Sequence, residues 1–273
     1  MSTTALPRAP LAVGQRSLGQ RAAVATGDVL TLTRRNLLLW LRVPAYLMFT
    51  VVQPVMFVLL FRYVFGGAIP VQVKGGYVNY LLPGIIGQSA AFASFSTAIS
   101  LATEIQNGAV DRFRSMPIAR SAVLLGRLSA DAIRMAITIV VLVGVGYAVG
   151  FRFSNGFIPA VGMILLAEVF GVVVCLVSAF VGLAIKDEES VQAFGLIWLF
   201  PLTFVSAAFV PVSRMPGWLQ AFAKNQPVTI VIEEMRSLAL GGRLVLHGWE
   251  SALWLAGVVV VFAPLAVRAY RRA

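Results

Sequence analysis

The chain has 273 residues, of which 59% are hydrophobic and only 12% charged, with a formal net charge of +11. Soluble domains sit near half apolar and a quarter charged, and disorder needs low hydrophobicity, so both an ordinary soluble enzyme and a disordered chain are excluded. The single cysteine, Cys175, has no intramolecular disulfide partner, and with His247 the only histidine a Cys/His zinc site is excluded as well.

The first 25 residues carry Arg8, Arg16 and Arg21 but no apolar signal core, and read as a flexible tail. Thr26 and Asp28 are expected to cap a helix over 26–43, in which Leu30, Leu37 and Leu41 share a face. That helix reads as interfacial, lying along the membrane surface, or as an extension of the first span. Six apolar stretches follow, near 44–65, 77–102, 132–150, 157–185, 191–211 and 250–268. The fold class read from this pattern is an all-α membrane protein with six transmembrane helices. An even span count places both termini on one side. If that side is the cytoplasm, 15 of the 22 basic residues lie inside, as the positive-inside rule favours.

The outer segments are short except for about 212–248. There Pro216 and Pro227 are placed to start helices and Gly241 and Gly242 to stop one, with Glu233 and Arg236 three residues apart, close enough to pair. One or two short amphipathic external helices are expected, with an ordered loop as the alternative. Pro54 and Pro201 are expected to interrupt helical hydrogen bonding within the first and fifth spans.

None of the three lysines is followed by Ser or Thr, so the phosphate-binding Gly-x-x-x-x-Gly-Lys-Ser/Thr loop is missing and the chain does not hydrolyse ATP by that route. No His-Glu-x-x-His occurs, and no enzyme active site is recognisable. Within the spans the one acid is Glu168, where an ionisable side chain costs roughly 2.5–3.5 kcal/mol on insertion scales. It reads either as a proton-coupling or substrate-binding group or as a tie to a neighbouring helix. Transport is the remaining class, and nucleic acid is not an expected partner.

The segment of about 103–131, between spans two and three, interleaves Asp111, Arg112, Arg114, Arg120 and Arg127 with apolar Val110, Phe113 and Met116. Ser115 and Pro117 form a helix-start signal, so a docking helix–turn–helix is expected, a plain basic loop being the alternative. Glu104, Gly108, Arg114, Pro117 and Ile118 match a Glu-x-x-x-Gly…Arg-x-x-Pro-Ile/Leu pattern. With Gly150–Phe153, Pro216–Trp218 and Asn225–Val228 in order behind them, the chain resembles the permeases of type-2 ABC transporters, particularly the daunorubicin-resistance branch. The resemblance implies a six-span permease of a bacterial inner membrane, working with two separate ABC ATPase subunits and a second permease, identical or homologous. Mg-ATP would sit on the ATPase partner, with no cofactor in this chain. It also implies coupling to the ATPase through Glu104, Gly108, Asp111, Arg112, Arg114, Pro117, Arg120 and Arg127. A pathway along spans one, two and five would be lined by Phe49, Gln53, Phe57, Phe61, Gln88, Phe92, Phe95, Phe200 and Phe204. Apolar walls with a few amides suit drug-like amphiphiles or lipids better than a hydrated sugar polymer. The alternatives are a proton-coupled drug antiporter using Glu168 and, within the ABC class, a polysaccharide or glycolipid exporter.

Overall fold

A computed structural model describes residues 18–43, 48–69, 71, 73, 75–108, 120–241 and 248–272. Among the described residues every regular element is helical. Helix α1 spans Leu18–Arg42, so it begins inside the stretch read from sequence as a tail. The next run is not one straight helix. A π-helical turn, Met48–Val52, leads into α2, Gln53–Leu60, and a second π-helical turn, Phe61–Phe65, leaves it. Pro54 stands in the first turn of α2, where its missing N–H costs least, and the wider turn lies just before it.

Helix α3 covers Tyr77–Gln106, α4 Arg120–Ala148, α5 Phe157–Ile185 and α6 Glu188–Phe204. Two boundaries differ from the sequence reading. Helix α4 starts twelve residues before the expected third span, because Arg127, Asp131 and Arg134 all find partners on α3. Helix α6 stops at Phe204 rather than continuing to residue 211: Pro201 has no N–H to donate, and the turn after it is held by Tyr77, Tyr80 and α8 instead. Helices α7, Gly217–Asn225, and α8, Pro227–Leu240, follow. Pro216 immediately precedes α7, and Gly241, at φ 72°, closes α8 in a conformation that a Cβ disfavours. The final helix, α9, is Gly248–Arg272.

Among the described residues four helices, α3, α4, α5 and α9, are long and apolar enough to cross a bilayer. Helix α3 is the hub, with every residue from Tyr77 to Ala91 buried. Its most extensive partner is α5, and α4, α6 and α8 also pack on it. The main core gathers Leu82, Ile85, Ile86, Ile139, Met163, Ile232 and Met235 from four of these helices. A second cluster, near the other end, joins Leu32 of α1 to Leu101, Leu124, Leu183 and Ala266. Gly182 lets α5 approach so closely that a Cβ there would collide with the Ala98 carbonyl of α3. Small residues at contacts are the usual device where lipid removes the hydrophobic drive for helices to associate.

Candidate functional site

A cavity of about 450 Å³ opens between α2, α3 and α6. Gln53 and Phe57 reach it from α2, Gln88, Phe92 and Phe95 from α3, and Gln192 from α6. Five of the nine residues picked from the sequence for a pathway therefore share one wall system: Gln53, Phe57, Gln88, Phe92 and Phe95. The α3 contributors are spaced four and three apart, which puts them on one helix face. Three more lie beyond the lining, in an aromatic run. Phe200 meets Phe92 edge-on at 5.4 Å, Phe204 stacks on Phe200 at 5.3 Å, and Phe61 stacks on Phe209 at 4.5 Å. Phe209, 5.3 Å from Phe204, joins the two arms and was not singled out from the sequence. The side chain of Phe49 lies outside the described residues.

The polar groups in this wall are few. Gln88 is only 2% exposed, and its amide nitrogen is enclosed with no hydrogen-bond partner among the described residues. An unpaired buried donor costs about 1–3 kcal/mol, which a ligand's acceptor oxygen would recover. Thr50, Ser89 and Ser96 also line the cavity and escaped the sequence reading, since hydroxyls scattered through an apolar run carry no spacing signal. Gly195 of α6 lies directly against the Phe95 ring, where any side chain would displace that part of the wall.

Beneath the cavity, a buried ion pair ties α4 to α3. Asp131 accepts from Arg134 on its own helix and from the Thr97 hydroxyl at 2.7 Å, while Arg134 also donates to Ser96 at 3.2 Å. Glu168 is thus not the only acid within the apolar bundle, because Asp131 is 7% exposed. The i, i+3 spacing of Asp131 and Arg134 was the available signal: a pair on one helix face neutralises itself and can be buried where a lone charge cannot. Glu168, on α5, is half-buried and has one carboxylate oxygen enclosed without a partner among the described residues.

The ends of α1, α3, α4 and α6 are braced together below this. Glu104, near the end of α3, faces Arg35 of α1 at 3.4 Å and Arg127 of α4 at 3.2 Å. The Thr33 hydroxyl donates to the Gly126 carbonyl at 3.1 Å. Thr103 donates to Glu188 at 2.9 Å, and Gln106 to Asp187 at 3.1 Å. Asp187 caps α6 by accepting from the Ser190 amide at 2.8 Å, and hydrogen bonds from Ser190, with help from Gln106, hold its carboxyl below the usual carboxylate range. Of the residues picked for coupling, Glu104 and Arg127 are thus in direct contact. Gly108 makes the positive-φ turn after α3, and Arg120 heads α4. Asp111, Arg112, Arg114 and Pro117 lie outside the described residues, as does the side chain of Arg120.

At the opposite end, α8 clamps the turn that follows α6. Arg236 donates to the carbonyls of Tyr80 at 3.1 Å and Ala207 at 2.8 Å, and its guanidinium lies 3.6 Å from the centre of the Tyr80 ring. Its pairing with Glu233, at 2.8 Å, is the one that the three-residue spacing pointed to.

Apolar helices long enough to cross a bilayer, one of which, α3, also walls a cavity of rings and amides, mark an integral membrane protein. The chain belongs to the ABC-2 type transporter family, whose profile matches residues 27–240. It is 36% identical to the daunorubicin resistance ABC transporter permease protein DrrB1 of Streptomyces coeruleorubidus, over 93% of this chain and 90% of that one. It is 31% identical to the probable doxorubicin resistance ABC transporter permease protein DrrC of Mycobacterium tuberculosis, over 100% of this chain and 99% of that one. The putative transport permease ycf38 of Pyropia yezoensis is 26% identical over 76% of this chain and 72% of its own length.

Proposed function

We propose that this chain is the membrane-spanning permease of an ATP-driven exporter of hydrophobic or amphiphilic compounds. ATP is hydrolysed, as Mg-ATP, on two separate ATPase subunits, and a second permease subunit completes the pathway. The observation that carries this reading is the cavity between α2, α3 and α6, with three aromatic rings, three amides and the unpartnered Gln88 nitrogen in its wall. Such a wall takes a flat or flexible apolar body and offers a hydrogen bond to a carbonyl or hydroxyl on it. The drug-resistance names of the relatives agree with cargo of that kind.

In this reading six segments cross the inner membrane: the run from Met48 to Phe65, then α3, α4, α5, α6 and α9. Helix α6 has 17 residues, about 26 Å at 1.5 Å per residue and close to the hydrocarbon thickness, and the run around α2 has 18 residues, shortened by its two wider π-helical turns. Both termini are cytoplasmic, α1 lies at the inner surface, and α7 and α8 lie at the outer face. The ATPase bears on the Glu104–Arg127 brace and the segment between α3 and α4. Closure of the ATPase dimer then moves α1, α3, α4 and α6 together, because hydrogen bonds and ion pairs join their ends.

The test is efflux from proteoliposomes carrying the chain with its ATPase partner. Export of a fluorescent amphiphilic dye should require ATP, and Phe92→Ala and Gln88→Leu should change which dyes are moved while leaving assembly intact. Export that follows a proton gradient and ignores ATP depletion would overturn the reading in favour of an antiporter.

A further inference from the structure

Glu233 and Glu234 are neighbours on α8 with opposite surroundings. Glu233 is held by Arg236, whereas Glu234 is 8% exposed and its carboxylate has no hydrogen-bond or ion-pair partner among the described residues. It lines a second cavity, of about 630 Å³, on the far side of α5 from the first. The remaining wall is apolar apart from Ser251, whose hydroxyl donates to the Gly248 carbonyl, with Leu165 and Val169 from α5, Leu238 from α8, and Leu255 and Val259 from α9. Leu165 and Val169 are 58% and 49% exposed, so the groove opens sideways toward lipid. Gly248, at the head of α9, lies so near that a Cβ there would stand 3.1 Å from Glu234 Oε1, and its lack of a side chain leaves room above the carboxylate.

A buried carboxylate with no partner is costly, and a cation delivered to it recovers that cost. The groove supplies apolar contact beside the charge. We infer that it is a binding site for an amphiphilic amine, entered from the membrane, whose apolar body lies along Leu165, Val169 and Leu255 while its protonated nitrogen meets Glu234. The described lining offers no basic side chain to receive a phosphate, so a phosphate-free amine fits better than an aminophospholipid. This site is separate from the cavity between α2, α3 and α6 and stands independently of the export reading.

The test uses the full chain in phosphatidylcholine nanodiscs and a diazirine-tagged dodecylamine, with labelled peptides mapped by mass spectrometry. Labelling is expected on α5, α8 and α9. It should fall at least fivefold in Glu234→Gln, and equally in Ala252→Trp, which fills the groove while leaving the carboxylate in place. Glu189→Gln, an exposed acid far along the chain, should label as the unchanged protein does. Three results would overturn the inference: undiminished labelling in Glu234→Gln, equal groove labelling by the matching diazirine dodecanol, or displacement by phosphatidylethanolamine as effective as by unlabelled dodecylamine. If Glu234→Gln fails to assemble, judged by size exclusion, the Ala252→Trp result and the alcohol comparison decide the matter alone.

Discussion

Glu104 shows how one side chain can hold three elements. Its two oxygens face arginines on different helices, and at 16% exposure it is screened less than a surface ion pair. Removing it leaves Arg35 and Arg127 facing each other's helices with no intervening charge. Glu104→Ala and Arg127→Ala are therefore expected to give the same phenotype. Membrane insertion should be retained and the partner's basal ATPase kept, while stimulation of that ATPase by cargo is lost. Normal cargo stimulation in both variants would remove the brace from the coupling route. Asp187 acts more locally, as the cap of α6. Its carboxyl titrates below its unfolded value near 3.9, so its contribution to stability is present above about pH 4 and is lost as pH falls through the lower folded value. Asp187→Ala should lower the melting temperature at pH 7, and the gap to the unchanged chain should narrow in acid. A gap that stays constant with pH would assign the effect to something other than the charged cap.

Helix α3 is the shared packing partner of α2, α4, α5, α6 and α8, and some of those contacts are very close. Gly182 against Ala98 is the tightest point between α3 and α5. Gly182→Leu should destabilise the bundle by about 1–3 kcal/mol, the usual cost of overpacking, read as a lower melting temperature in detergent. At the other end, α8 is fixed to α3 and to the turn after α6 by Arg236. Arg236→Met keeps the apolar stem but removes the charged donor shared by Glu233 and the Tyr80 and Ala207 carbonyls, leaving the Ala207 carbonyl with the Tyr80 hydroxyl alone. A loss of about 2–3 kcal/mol is expected from charged hydrogen bonds of this kind, with earlier proteolysis of the segment between α6 and α8. Both elements were visible in the sequence as helices. Their contacts were not, since Gly182 and Ala98 look like any other small residues in an apolar run.

Across the whole molecule, the proposed orientation rests on charge asymmetry and can be measured directly. Cys175 is buried and gives little labelling background. Trp218, 77% exposed on α7, and the exposed Glu189 on α6 lie near opposite ends of the bundle in the proposed topology. A membrane-impermeant maleimide should label Trp218→Cys on intact cells and Glu189→Cys only after permeabilisation. The reverse pattern would invert the proposed orientation. The candidate pathway was legible in part: α3 carried Gln88, Phe92 and Phe95 on one face, and the structure sets Gln53 and Phe57 opposite them. Phe61, Phe200 and Phe204 fell just outside, in the aromatic run, because residues on an apolar helix face either lipid or protein without any change in composition.

The sequence by itself determined that this is a helical membrane protein of the ABC-2 type, and its charge asymmetry and proline and glycine signals set most helix limits. These follow from transfer free energies and local backbone preferences, which act residue by residue. Only the tertiary structure decided that Asp131 and Arg134 lie inside the bundle, that Glu104 is shared between two arginines, and that Glu233 is paired while Glu234 is not. Those outcomes depend on which surface of each helix meets a neighbour. Where the lipid-facing and protein-facing surfaces are equally apolar, periodicity carries no record of that choice.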